Sequence, residues 1–301
     1  MDGEIEIFGL GYCGLDYLCL LPGIPLDDKV EILGSLTQGG GPSATATYAA
    51  ARLGSAAAFA GAVGDDGRGR QILGGLRQGG VDVGAIAVRP GAESPAAFCW
   101  IDAPTGKRSI AWTKGAAAPL DPKELDMELL GKAKVLHLDG HQTQAALAAA
   151  AHARSKGVAV SIDAGTLVPG IEELLELCDI VIASEKFAAR FTGDADPERS
   201  VRELFGRGRM FAAVTLGSAG SVGFDGKTMF KQAAFPVKVV DSTGAGDVFH
   251  GAFVHRFARG GGWAGCLRFA AAVSALKCAK FGGRTGIPTL AEAEKFLEEM
   301  R

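Results

Sequence analysis

The sequence predicts an α/β fold: a three-layer sandwich with helices covering a mostly parallel central sheet, and a small β-sheet lid beside it. Three observations predict it. Short β-branched runs alternate with Ala/Leu-rich amphipathic stretches, the rhythm of repeated strand–helix–strand units. Elsewhere, strand-like runs follow one another with no helix between them. The 301 residues, 48% hydrophobic and 22% charged, are enough to bury a sizeable core.

Taken in chain order, Glu4–Leu10 opens the sheet and Val30–Thr37 is a strand-like run reached through Pro22-Gly23-Ile24-Pro25. Ser43–Leu53 reads as a helix, Ala57–Val63 as a strand and Gly67–Gln78 as a helix. Gly84–Val88, Ala96–Asp102 and Lys107–Thr113 then follow as strands, with Pro104-Thr105-Gly106 as a turn. The rhythm resumes with strands at Val135–Leu138, Val158–Ile162, Ile180–Ala183 and Phe211–Leu216. Helices at Thr143–Lys156, Glu172–Leu177 and Pro197–Gly206 separate them. Three helices close the chain at Ala245–Arg259, Trp263–Cys278 and Ala291–Met300. The helix-free runs predict a lid drawn from about residues 12–38 and 84–114. No Pro-, Ser- or charge-rich linker and no internal repeat intervenes, so residues 1–301 read as one domain.

A net charge of −3 supplies no pull toward nucleic acid or an anionic membrane. Met1–Phe8 carries acids in place of a basic leader region, and no apolar run reaches membrane-spanning length. The six cysteines form no CxxC pair and no zinc spacing, so they read as thiols of a reducing cytoplasm.

Asp241-Ser-Thr-Gly-Ala-Gly-Asp247 carries the most chemistry. It links a strand-like run to a helix, so Gly244, Ala245 and Gly246 stand where unpaired N–H groups and the positive helix end meet. Such a place holds an anion, and glycine lets phosphate oxygens approach the backbone. An acid in an anion cradle is costly unless it takes a proton from an attacking hydroxyl; Asp247 is either that base or a helix cap.

The seven residues Asp241–Asp247 resemble the second signature of the PfkB family of carbohydrate kinases, which have the ribokinase-like fold. The resemblance implies an ATP-dependent kinase with Asp247 as catalytic base and Gly244–Gly246 as the cradle for the transferred phosphoryl group. Asp241 and Thr243 would lie toward a monovalent cation, K⁺. Gly39–Thr45 resembles the first signature, which sets Gly40 and Gly41 against the sugar, with Thr45 where the family usually has Asn. Asp16 and Asp139 would touch the sugar as well. Thr215-Leu-Gly217-Ser-Ala-Gly220 resembles the T-x-G-x-x-G loop beside ATP; a turn alone does not call for both glycines. Ser184 replaces a usual Asn, and Glu185 would act on Mg²⁺ indirectly. Gly282 falls in a stretch like the one lining the adenine pocket and the cation site. Gly39–Gly54, Val248–Gly251 and Arg268–Pro288 look most like the sulfofructose-kinase-like branch. The expected partners are a small sugar and ATP, with a homodimer formed through the lid.

Two alternatives stay open. A nucleoside kinase on the same scaffold would use Phe98, Trp100 and Trp112 of the lid around a base. A dinucleotide-dependent oxidoreductase would use Gly9-Leu-Gly11-Tyr-Cys-Gly14, which matches G-x-G-x-x-G. That fingerprint needs a full helix, and Leu15–Leu21 allows at most two turns before Pro22. His137, Asp139 and His141 lack the spacing of a zinc site. His250 and His255 read as packing or surface residues; Lys107 and Arg108 on the lid could reach an anionic group, but a turn-exposed pair reads first as solvated.

Overall fold

The computed structural model describes residues 5–206 and 208–300. A ten-stranded sheet is built from β1 (Ile7–Leu10), β4 (Ala57–Gly64), β5 (Val81–Asp82), β6 (Ile86–Arg89), β9 (Val135–Leu138), β10 (Ala159–Ala164), β11 (Ile180–Ser184), β12 (Phe211–Thr215), β13 (Ser221–Phe224) and β14 (Met229–Gln232). Its order is β14-β13-β12-β11-β10-β9-β1-β4-β5, with β6 also paired to β4. Pairing is parallel from β12 to β5 and antiparallel only at β12–β13 and β13–β14. A separate four-stranded sheet, order β3-β2-β7-β8, forms the lid from β2 (Gly14–Leu21), β3 (Gly34–Gly40), β7 (Ala96–Asp102) and β8 (Arg108–Thr113).

Helices cover both faces of the main sheet, as parallel strands require. On one side α4 (Thr143–Ser155), α5 (Ile171–Glu176), α6 (Glu185–Thr192) and α7 (Pro197–Phe205) bury alanines, Leu174, Phe187 and Val201 against β9–β12. On the other, α1 (Pro42–Arg52), α8 (Ala245–Ala258), α9 (Trp263–Cys278) and α10 (Leu290–Glu299) pack around Phe211, Phe253 and Leu267. Phe211 stacks on Trp263 at 4.6 Å between centroids. The helix α2 (Gly67–Gln78) joins β4 to β5 and packs through Ile72 and Leu76. Capping fixes several helix starts: Asp196 accepts from Glu198 and Arg199 N–H, and Thr289 with Glu292 forms a capping box. No helix among the described residues is long and apolar enough to cross a membrane. All six cysteines are free thiols, and all but Cys19 are buried.

Three expectations are corrected. Leu15–Leu21, allowed up to two helical turns by its length, is strand: Gly14–Leu21 pairs with β3 and β7, so no helix follows Gly9–Gly14 and no dinucleotide fingerprint forms. The run expected at Val30–Thr37 is strand only from Gly34, and it continues through Gly39-Gly40, which pair with Leu15 and Gly14. Gly84–Val88 does not join the lid. Ile86–Arg89 returns parallel to β4 after α2, as a strand following a helical crossover does. Lid pairing after β6 therefore begins at Ala96 rather than near residue 84. The beginning of Glu4–Leu10 lies outside the described residues, and pairing begins at Ile7.

Candidate active site

The strands β9, β10, β11 and β12 end side by side, which places Asp139, Asp163, Ser184 and Thr215 along the carboxyl edge of the sheet. In an open parallel sheet that edge is where ligands bind. A cavity of about 520 Å³ lies there, roofed by lid residues Asp16, Cys99, Arg108 and Trp112 and floored by Thr243, Gly244, Gly246 and Asp247.

Asp241, fully buried, shapes the floor. Its Oδ1 accepts from Thr243 N–H at 2.8 Å and its Oδ2 from Gly282 N–H at 2.9 Å. Its carbonyl accepts from Lys277 Nζ at 2.7 Å. These bonds hold the turn into α8, which Gly244 enters with φ 72°, a left-handed conformation. No side chain caps α8; Ala245 N–H donates to the Ser242 carbonyl at 3.3 Å, and the next amides, of Gly246 and Asp247, stay available to an anion. A Cβ on Gly246 would meet nothing within 4 Å, so the helix start is open to the cavity.

Asp247 sits in the first turn of α8 and lines the cavity. Burial pushes its carboxyl up to about 6, the nearby Asp163 charge pushes the same way, and His250 and Arg108 oppose. Asp16, opposite on the lid, is pushed up to about 7 by burial, partly offset by the Arg284 guanidinium. It lies directly on Gly40: a Cβ there would come within 2.2 Å of its carboxylate. Asp139 accepts three backbone N–H bonds, from Tyr12 (2.9 Å), Ser43 (3.1 Å) and His141 (3.0 Å). It therefore ties the end of β1, the start of α1 and its own turn together. Burial still leaves its carboxyl raised.

This arrangement, an open helix start with a free carboxylate under a lid, coincides with a match over residues 28–290 to the profile described as pfkB family carbohydrate kinase. The chain belongs to the pfkB family of carbohydrate kinases. It is therefore an ATP-dependent phosphotransferase of the ribokinase-like fold. Fructokinase-1 of Zea mays is 29% identical over 325 residues, spanning 99% of each chain. The structure of a putative ribokinase from Agrobacterium tumefaciens superposes with a TM-score of 0.89 at 31% identity, with 99% of both chains covered. A putative ribokinase II from E. coli, solved with ATP and Mg²⁺, is 26% identical with a TM-score of 0.85, covering 98% of this chain and 99% of its own.

In this kinase the cavity gathers Asp16, Gly41, Asp139, Ser184, Thr215, Thr243, Gly244, Gly246 and Asp247. The other expected site residues do not line it. Thr45 is buried and its hydroxyl accepts from Arg284 Nε at 3.2 Å, so it faces the protein rather than a substrate. Gly40 makes room for Asp16, and Gly282 serves Asp241. Glu185 is exposed at the start of α6, which Ser184 caps by accepting from Phe187 N–H. Gly217 (φ 57°) and Gly220 (φ 97°) make a 3₁₀ turn that requires both glycines without any ligand, because a Cβ on Gly220 would lie 2.0 Å from the Gln232 carbonyl. Ala245 is the first residue of α8 and contributes backbone only.

Four contributors escaped the sequence reading. Arg108 is exposed but not merely solvated: it lines the cavity and donates to Ser242 Oγ at 3.1 Å, reaching from lid to cradle. Asp163, at the end of β10, lines the cavity with His250, whose Nε2 lies 3.3 Å from Asp163 Oδ1. Burial would raise the Asp163 carboxyl, but the His250 contact and His137 outweigh it and hold it below the usual range. His255, in contrast, is packing: its Nδ1 lies 2.9 Å from Ser55 Oγ. Arg284 is buried behind β3, donating to Thr45 and to the Gly40 carbonyl at 3.2 Å, with its guanidinium 5.1 Å from the centre of the Tyr48 ring. The signal for Asp163 was an acid directly after a predicted strand, and for Arg108 a basic pair on the lid within reach of an anion; His250 and Arg284 gave none.

Of the lid aromatics, only Trp112 lines the cavity, set edge-on to Tyr12 at 6.1 Å, and Tyr12 meets His141 at 5.6 Å. Phe98 and Trp100 are exposed elsewhere on the lid, and Phe98 stacks on Tyr17. Phe98, Trp100 and Trp112 therefore do not converge on one pocket.

Proposed function

We propose that the kinase moves the γ-phosphoryl group of ATP to a primary hydroxyl of a sugar, with Asp247 as the general base. One observation carries this reading: Asp247 lines the cavity beside the open amides of α8 and is acted on by burial and charge, with its proton affinity raised to about 6. A carboxylate tuned toward neutrality accepts a proton from an alcohol more readily than an ordinary one.

The sugar lies under the lid against Asp16, Gly41 and the Tyr12–Trp112–His141 wall. Asp16 accepts from sugar hydroxyls. The phosphates of ATP lie over Gly244–Gly246, with Ser184 and Thr215 on the nucleotide side. Arg108 brings a positive charge from the lid to the position where negative charge develops on the transferred group. Mg²⁺, when bound, would neutralise phosphate charge, and Asp163 is the cavity carboxylate that would help hold it. Water is excluded when the lid is down, which favours the alcohol as acceptor.

The sugar is a ketose or an aldose, in keeping with relatives named fructokinase and ribokinase. The likeness to the sulfofructose-kinase-like branch adds sulfosugars to the candidates, with His141 as the hydrogen-bonding group at the sugar end of the cavity. The homodimer is proposed through the outer lid face, where Phe98 and Trp100 are exposed. A coupled ADP-release screen over ketoses, aldoses, sulfosugars and nucleosides tests the reading. Activity confined to nucleosides would overturn the sugar assignment, and unchanged turnover in Asp247→Ala would overturn the base.

A further inference from the structure

Lys277 is a lysine with no exposed surface, on a helix whose other buried residues are almost all apolar. Burying an ammonium is costly unless it is paired and hydrogen-bonded. Its Nζ donates to the Asp241 carbonyl at 2.7 Å; burial lowers its proton affinity, and the Asp241 carboxylate is the first charge that opposes this and favours the ammonium. Asp241 in turn holds Thr243 and Gly282 N–H, and so fixes the turn into Gly244. A single positive charge is thus built into the protein directly behind the phosphate cradle.

The resemblance to carbohydrate kinases implies a soluble monovalent cation beside Asp241 and Thr243. The residues present do not fit one. Each Asp241 carboxylate oxygen already accepts a backbone N–H bond and its carbonyl accepts from Lys277, so these oxygens offer a second cation only their remaining lone pairs, beside an ammonium that repels it. One buried oxygen, Thr243 Oγ1, is left without a partner, and a lone hydroxyl does not compete with water for an alkali cation.

We propose that the ε-ammonium of Lys277 is a tethered internal cation that does the work of a soluble one, so that nucleotide binding and turnover are independent of K⁺. Lys277 is on this view a positioning residue: it acts through Asp241 on the cradle and touches neither substrate. The proposal rests on the kinase reading above, and its test is chosen to separate the two.

The test compares potassium chloride with choline chloride at matched ionic strength, which removes general screening as a cause. Three quantities are read: affinity for a non-hydrolysable ATP analogue with Mg²⁺ by calorimetry, sugar-dependent ADP release, and melting temperature. The wild-type protein is expected to give the same values in both salts. Lys277→Ala opens room for a cation, so in choline its analogue affinity and turnover should fall by about ten- to a hundredfold, the usual cost of losing such a supporting contact. K⁺, ammonium or ethylammonium should then restore them and raise its melting temperature. Lys277→Met fills the same space with an apolar chain and should show the loss without the rescue.

A wild-type protein activated about tenfold or more by K⁺, a coupling of ordinary allosteric size, overturns the proposal. A Lys277→Ala variant that is unaffected, or damaged but not rescued by any cation, overturns it too, since a structural tie alone would behave so. If neither variant folds, the wild-type comparison decides. A wild-type protein that binds the analogue but phosphorylates no sugar sinks the sugar reading, and calorimetry and melting still decide the role of Lys277.

Discussion

The phosphate cradle and the lid sit across one cavity and are built on opposite plans. The carboxylate and carbonyl of Asp241 are all committed: two backbone N–H donors, a buried ammonium and a left-handed glycine fix the turn. The lid strand β8 is exposed along its whole length, and Trp112 keeps 62% of its surface accessible. Where atoms are locked, the site holds charge in place before reaction, which is what stabilises a developing anion. Where they are loose, the site adapts to a ligand. On the proposed function, most of the chemistry belongs to the cradle, and the choice of sugar belongs to the lid.

The sharpest way to break this comparison is at the cradle. Asp247→Asn should lower kcat by about 10²–10⁴-fold, the range of general-base catalysis, while melting temperature and nucleotide affinity stay near wild type. Asp241→Ala should act on structure instead: it strips the buried Thr243 and Gly282 N–H groups of their acceptor and should cost about 1–3 kcal/mol for each in denaturant unfolding. On the lid, Arg108→Ala should reduce kcat by about tenfold or more yet leave stability unchanged, because the residue is exposed. An equal loss of stability would show the lid to be as rigidly built as the floor. Trp112→Ala should raise KM several-fold with kcat nearly constant, the signature of binding lost equally from ground and transition states.

The smallest effect is in the pH profile. With Asp247 raised to about 6, its base form is scarce below that pH, so kcat/KM should climb as pH rises through about 6 and then level off. Asp16, raised to about 7, should extend the climb toward neutrality if its ionised form binds the sugar. Asp163→Asn removes a neighbouring negative charge and should shift the Asp247 midpoint down. A midpoint that moved up would contradict the assigned environment.

Much of the cradle was legible because it is local. Asp241–Asp247 is continuous in sequence, and a strand, a glycine turn and a helix start define its chemistry without the rest of the chain. The lid was less so. Leu15–Leu21 carries no clean alternation and follows a glycine pattern that suggests a different fold, and its strand identity comes from pairing with Gly34–Gly40 and Ala96–Asp102. Lys277 to Asp241 and Arg284 to Gly40 span 36 and 244 residues, so nothing near either end announces its partner. Thr45 shows the converse: its position in the motif pointed to substrate, while its hydroxyl was taken by an arginine from the far end of the chain.

Ser242 lies where the two plans meet. Its hydroxyl donates to the Gly106 carbonyl at 3.0 Å and accepts from Arg108, so the lid hairpin is latched to the turn that begins the cradle. Both bonds form with no sugar present, so on the proposed function one contact sets the Arg108 charge and the water seal together. Sugar-independent ATP hydrolysis should then be a clock for how often the latch opens, and Ser242→Ala should change the rate of that clock before it changes anything else.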